Sequence, residues 1–213
     1  ESRRDVTTLK TRFLLYSPVL FGILFFGNTA CDGEPLGGEC VPSSQEGYEC
    51  LPNLLSNGSF SGSTTGWSAE KFAVGEVVTS DPSGIGSASS LAVTNFAFKA
   101  RVTDFGLTQC VPIRPSTAYL IEADSWMAGD LGVDATAAID LVVYEGGDCT
   151  GDKIQRKDSD GAGRVRDEWV HSSVSMVTPA GATSGELHLR VVKGPHEVDA
   201  IAQFDNVLLA EKP

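Results

Sequence analysis

The stretch Ala118-Tyr-Leu-Ile-Glu-Ala-Asp-Ser-Trp-Met127 and the later Thr136-Ala-Ala-Ile-Asp-Leu-Val-Val-Tyr144 decide the fold. In the first, Tyr119, Ile121, Ala123, Ser125 and Met127 alternate with Leu120, Glu122, Asp124 and Trp126. In the second, Ile139, Leu141 and Val143 alternate with Ala138, Asp140, Val142 and Tyr144. A period of two is that of an extended strand, whose successive side chains leave opposite faces, whereas a helix repeats every three to four residues. Downstream, Leu187, Leu189 and Val191 likewise oppose Glu186, His188 and Arg190.

Working outward, the same reading predicts strands over 72–79, 90–93, 96–105, 108–113, 170–177, 186–192 and 201–209. Turn-forming runs separate several of them: Asp130-Leu-Gly132, Glu145-Gly-Gly-Asp148, Asp158-Ser-Asp-Gly161 and Thr178-Pro-Ala-Gly181. No segment sustains ten residues of helical periodicity. Many short strands with punctuated turns predict an all-β chain forming an antiparallel β-sandwich. The charged segment 151–168 reads as a loop or a long hairpin tip.

The N-terminus obeys different rules. Arg3, Arg4, Lys10 and Arg12 precede fifteen mostly apolar residues, Phe13 to Gly27, and then Asn28-Thr29-Ala30-Cys31. A basic region, a short apolar core and small residues make a signal peptide. Ser17 and Pro18 interrupt the apolar run, and about 20 residues are needed to cross a bilayer. Cys31 stands where a bacterial lipoprotein is acylated, with Thr29 and Ala30 fitting that site and Asn28 departing from it. The expected organisation is a signal peptide over 1–30, a lipidated tether over 31–52 and a sandwich over 53–211. Export to the bacterial cell envelope follows, with an N-terminal lipid as the membrane contact.

Export also governs the cysteines. With Cys31 set aside, Cys40, Cys50, Cys110 and Cys149 remain, enough for two disulfides in an oxidising compartment. Three connectivities are possible, and Cys40–Cys50 with Cys110–Cys149 is favoured because each pair closes a loop within its own segment.

The chain of 213 residues carries a net charge of −12. Beyond Ala30 the imbalance grows, to 12 basic against 26 acidic side chains. Such a surface repels phosphate backbones and anionic headgroups, which argues against nucleic acid as a partner. Glycans and divalent cations remain open.

Four motifs in order, Asn53-Leu-Leu-Ser-Asn-Gly-Ser-Phe60 with Gly66-Trp67, the Tyr119 to Trp126 segment, Trp169-Val-His-Ser-Ser-Val174 and Phe204-Asp-Asn-Val-Leu-Leu209, carry a resemblance. The region is similar to cenC-type carbohydrate-binding modules, the group spanning families 4, 9 and 22. The resemblance implies a jelly roll that holds sugar chains, usually as an appendage of glycoside hydrolases, and core positions for Trp67 and Trp169. It also implies a structural calcium held in part by Asp205, although Ser59 and Ser61 stand where acidic residues are usual.

An aromatic ring flanked by carboxylates and an arginine on one sheet face suits a sugar, since a pyranose stacks its apolar face on the ring while its hydroxyls pair with charged groups. Trp126, Tyr144, Asp124, Asp140 and Arg190 are the candidate ligand-binding residues. The expected function is non-catalytic polysaccharide or glycan binding. A structural or adhesive envelope lipoprotein that has lost sugar binding is the alternative, and a small glycoside hydrolase a remote one. Ser68-Ala-Glu-Lys71 matches the SxxK pattern of penicillin-recognising enzymes without its companion motifs, and Asp158-Ser-Asp160-Gly161 is half of a calcium loop lacking the later glutamate.

Overall fold

A computed structural model describes residues 40–41, 51–79, 89–129, 134–159 and 165–212. The signal segment, Cys31, most of the tether, Cys50 and the tip of the 151–168 segment lie outside the described residues, and with them the expected Cys40–Cys50 bridge. Two sheets of five antiparallel strands form a sandwich. In chain order the strands are β1 (Cys40–Val41), β2 (Leu51–Pro52), β3 (Ser68–Ala69), β4 (Ala73–Val78), β5 (Ser90–Asn95) and β6 (Thr103–Pro112). There follow β7 (Ala118–Trp126), β8 (Ala135–Tyr144), β9 (Lys153–Asp158), β10 (Val170–Val177), β11 (Ser184–Lys193) and β12 (Ala200–Glu211). Sheet A has the order β10-β7-β12-β5-β4 and sheet B the order β3-β6-β11-β8-β9, while β1 and β2 pair with each other.

The period-two rows become the core. Ile121 and Ala123 of sheet A and Leu141, Leu187 and Leu189 of sheet B are at most 1% exposed and pack in one cluster with Phe60, Trp67 and Phe204. The opening motif is stitched to the closing strand by one side chain: Asn53 Nδ2 donates to the Val207 carbonyl at 2.7 Å, and its Oδ1 accepts the amides of Leu55 and Leu209 at 3.1 and 3.0 Å. A disulfide joins Cys110 of β6 to Cys149, in the 3-10 turn Gly147–Cys149 that follows β8. In the chain-entropy view, its 39-residue separation contributes about 4 kcal/mol.

Several expectations need correction. The strand expected over 96–105 starts only at Thr103, because Asn95 Oδ1 accepts the Ala97 amide at 3.0 Å and turns the chain out of the sheet. From there β6 runs unbroken through Gly106, where the sequence suggested a break. Gly106 is a close approach: its N–H donates to Glu70 Oε2 at 2.7 Å, and a Cβ there would lie 1.7 Å from the Leu189 carbonyl oxygen. Part of the charged segment is not a loop but the edge strand β9, paired to β8, whose Lys and Arg side chains suit an unpaired edge. Order also begins before Asn53, since Leu51 is buried with Leu120, Leu208 and Ala210 on the outer side of sheet A. Trp67 is in the core, but Trp169 is half-buried just before the edge strand β10, outside the core cluster.

Candidate functional site

The five predicted ligand residues do not share a face. Asp124 and Trp126 lie on β7 in sheet A, and Tyr144, Asp140 and Arg190 lie on β8 and β11 in sheet B. All five alternate with core residues, so the two groups point away from each other on opposite outer faces of the sandwich. The single face expected from sequence is therefore corrected to two.

On the outer face of sheet A, His171 Nδ1 and Asp124 Oδ1 are 2.8 Å apart, and Asn206 Nδ2 donates to Asp124 Oδ2 at 2.8 Å. Asn206 reaches this position from a bulge in β12 between Asp205 and Leu208, where its φ is +49°. Ser173 donates to the buried Glu122 at 3.0 Å. Trp126 is half-buried and lies across from Gln203. The other end of this face is covered by the chain itself, through Leu51 against Leu120 and Leu208.

The outer face of sheet B is built in two layers. The lower one is buried: Asp140 is 0% exposed, Tyr144 5% and Arg190 7%. Register places His188 across from Asp140, with Arg190 two residues along the same strand. Arg190 Nε contacts Asp140 Oδ1, its Nη1 reaches Asp104 at 2.5 Å, and Arg156 Nε stands 3.0 Å from Asp140 Oδ2. The two Asp140 contacts are charge pairs by distance without the alignment of hydrogen bonds. Burial pushes the Asp140 carboxyl above the usual aspartate range, and Arg190, His188 and Arg156 pull it back only in part. The Tyr144 hydroxyl donates to Glu186 Oε2 at 2.8 Å, and burial together with that bond pushes the phenol up to about 12.

Above this layer stand groups that reach solvent. Glu186 Oε2 also lies 3.1 Å from His188 Nε2, and the side chains of Glu186 and His188 are 23% and 12% exposed. Asp104, Arg156 and Asp158 are about half exposed, with Arg156 Nε bonded to Asp158 at 2.8 Å. Lys153 Nζ lies 5.6 Å from the centre of the Tyr144 ring. Sequence reasoning passed over Glu186 and His188 as site residues, although they share the alternation that singled out Arg190.

Where β6 begins, this face runs into a cavity of about 430 Å³ lined by Phe72, Lys99, Arg101, Asp104 and Phe105. Asp104 belongs to both, since it also pairs with Arg190. The Phe72 ring meets Phe105 at 5.2 Å and Phe96 at 6.2 Å in edge contacts, and Phe96 and Phe98 are 41% and 66% exposed.

Asp205, the calcium ligand that the resemblance implies, is buried at the bulge of β12. Among the described residues no group of three His, Cys, Asp or Glu side chains is placed to hold a metal ion, and Asp205 Oδ1 accepts the Asn206 amide at 2.8 Å. Calcium takes about 6–8 oxygen ligands.

No protein-family model matches the chain, and no curated protein matches it. Solved structures do. The xylan-binding CBM22-1 domain of Paenibacillus barcinonensis Xyn10C aligns at 19% identity with a TM-score of 0.54, over 76% of this chain and 95% of that one. A xylan-binding domain from CBM 22 aligns at 17% identity and 0.52, over 75% and 95%. The enzymatically active domain of bacteriophage CBA120 tailspike protein 4 aligns at 14% identity and 0.53, and this chain spans 21% of its length. At such identities the likeness is one of fold, a jelly-roll β-sandwich.

Proposed function

We propose that the chain is a non-catalytic polysaccharide-binding module and that the sugar chain lies along the outer face of sheet B. The observation that carries this reading is the junction of that face with the Phe72 cavity. There, solvent-reaching donors and acceptors adjoin open aromatic rings, the combination a pyranose needs for hydroxyl pairing and ring stacking. Tyr144, Asp140 and Arg190 serve this site from below. They are too buried to meet a polymer broadly, and they hold Glu186, Asp104 and Asp158 in place. The solved structures sharing the fold include xylan-binding domains, which supports a polysaccharide as the ligand class.

Sheet A is the weaker choice, because the chain's own β1–β2 pair occupies part of its outer face. The envelope-scaffold alternative draws on one observation, the mutual neutralisation of Asp140, Arg190 and Arg156. Affinity electrophoresis of the protein through gels holding different soluble polysaccharides separates these readings. Retardation by at least one polymer, lost in Glu186→Gln/His188→Ala and kept in Trp126→Ala, is expected. Free migration in every gel would favour the scaffold, and loss in Trp126→Ala alone would move the site to sheet A.

A further inference from the structure

The cavity at the end of sheet B has an electrostatic character opposite to that of the chain. Two cations, Lys99 and Arg101, line it and a third, Lys71, stands by its Phe72 ring, in a protein of net charge −12. Lys99 Nζ lies 4.5 Å and Lys71 Nζ 5.3 Å from the centre of the Phe72 ring, so one aromatic ring gathers two ammonium groups. Arg101 lines the cavity beside Lys99. Among the described residues none of the three has an ion pair, and the one carboxylate lining the cavity, Asp104, is engaged by Arg190. Bringing like charges together without a counter-ion costs free energy, and an anionic ligand removes that cost.

The loop that carries Lys99 and Arg101 is held in place. Asn95 anchors its start, accepting from Ala97 and donating to Thr103 Oγ1 and to the Val191 carbonyl at 3.3 and 2.7 Å. Its middle is fixed by the His196 amide, which donates to the Lys99 carbonyl at 2.8 Å. The neighbouring loop is fixed in turn by the buried Lys193, which donates to the Val198 carbonyl at 2.9 Å. Phe98 packs its ring edgewise against His196 at 5.5 Å and stays two-thirds exposed. The cations therefore stand on a braced rim beside open rings.

From this we infer that the module selects acidic polysaccharides, with a carboxylated or sulfated sugar seated at Phe72 and its anionic group between Lys99 and Arg101. The inference rests on the reading of sheet B as a glycan face and adds the chemistry of its ligand. The net negative charge does not oppose it at contact distance. At physiological ionic strength, fields decay over about 8 Å, so the nearest cations dominate over distant carboxylates. The neutral layer of hydroxyls on the same polymer would be met by Glu186 and His188 further along the face.

The test is affinity electrophoresis and calorimetry of the protein with polygalacturonate, dextran sulfate and neutral xylan, at about 0.05 M and about 0.5 M salt. Lys99→Gln/Arg101→Gln is compared with Arg114→Gln/Lys212→Gln, which changes net charge equally at sites remote in sequence from the rim. The expected result is preference for an acidic polymer, weakened by salt and by about tenfold or more in the rim variant, with the control variant unaffected. Polygalacturonate against dextran sulfate decides which anion is taken. Equal binding of xylan, or a rim variant matching the control, overturns the acidic preference while leaving the glycan reading intact. Binding of no polymer overturns both, and a rim variant whose melting curve is unchanged shows that any loss is not unfolding.

Discussion

The two outer faces of the sandwich look alike in sequence and differ in how they treat charge. On sheet B, an aspartate and an arginine are almost wholly buried and joined, with a second arginine closing over them. On sheet A, Asp124 and His171 keep 26% and 45% of their side-chain surface and bond in contact with water. Burial is what separates these two pairs. The same kind of charged pair is a foundation on one face and a surface ornament on the other, since a charge removed from water must have a partner whereas a wet one need not.

The largest expected effect comes from breaking the foundation. Arg190→Met removes the cation between Asp140 and Asp104 and leaves the buried carboxylate with Arg156 as its one remaining arginine and His188 across from it. Loss of one partner of a buried pair costs about 3–5 kcal/mol, and urea denaturation should show it as a lower midpoint at unchanged slope. An effect below about 1 kcal/mol would mean that the pair is effectively solvated, as surface pairs are. Sheet B would then differ from sheet A in appearance only.

Tyr144 gives a smaller effect with a definite sign. Its folded pKa is raised from 10.0 to about 12 by burial and by the bond to Glu186. A raised phenol contributes stability that is complete below pH 10 and is lost as pH climbs toward 12. That rise corresponds to about 2–3 kcal/mol. Tyr119, also raised by burial, titrates in the same direction. The measurement is therefore the difference between the wild type and Tyr144→Phe across pH 9 to about 12. The wild type should lose more stability than the variant, and parallel curves would show that neither burial nor Glu186 raises the Tyr144 phenol.

What the sequence showed and hid follows from the same contrast. Alternation in 118–127 and 136–144 was enough to identify strands, to sort the core side from the other and to predict the sandwich, and Cys110 met Cys149 as expected. Alternation carries no information on which strands share a sheet, because that depends on pairings between residues far apart, such as Leu187 with Leu141. Trp126 and Tyr144 therefore read as neighbours although the fold sets them on opposite sides. The burial of Asp140 was hidden because the strand that helps enclose it, β9, reads Lys-Ile-Gln-Arg-Lys-Asp and has the composition of a loop. The Phe72 cavity was hidden for a similar reason. Its loop falls within a stretch, 96–105, that reads as a strand, and only the Asn95 side chain reveals that the chain turns away there.

The smallest expected effect is on sheet A, and it sharpens the contrast most directly. Asp124→Ala removes the acceptor of His171 and Asn206, both at the outer surface, where water can replace a lost partner. An exposed ion pair and an accessible hydrogen bond together are worth about 1 kcal/mol or less. The bulge that presents Asn206 should survive, because the Asp205 carboxylate holds the Asn206 amide independently of Asp124. Melting of Asp124→Ala should thus shift by only a few degrees, and its retardation by polysaccharide should equal that of the wild type. A cost comparable to that of Arg190→Met would show that the wet pair is as structural as the buried one. Lost retardation in a protein that still melts normally would place sugar on this face, with Trp126 beneath it, and would reverse the assignment of the two sides.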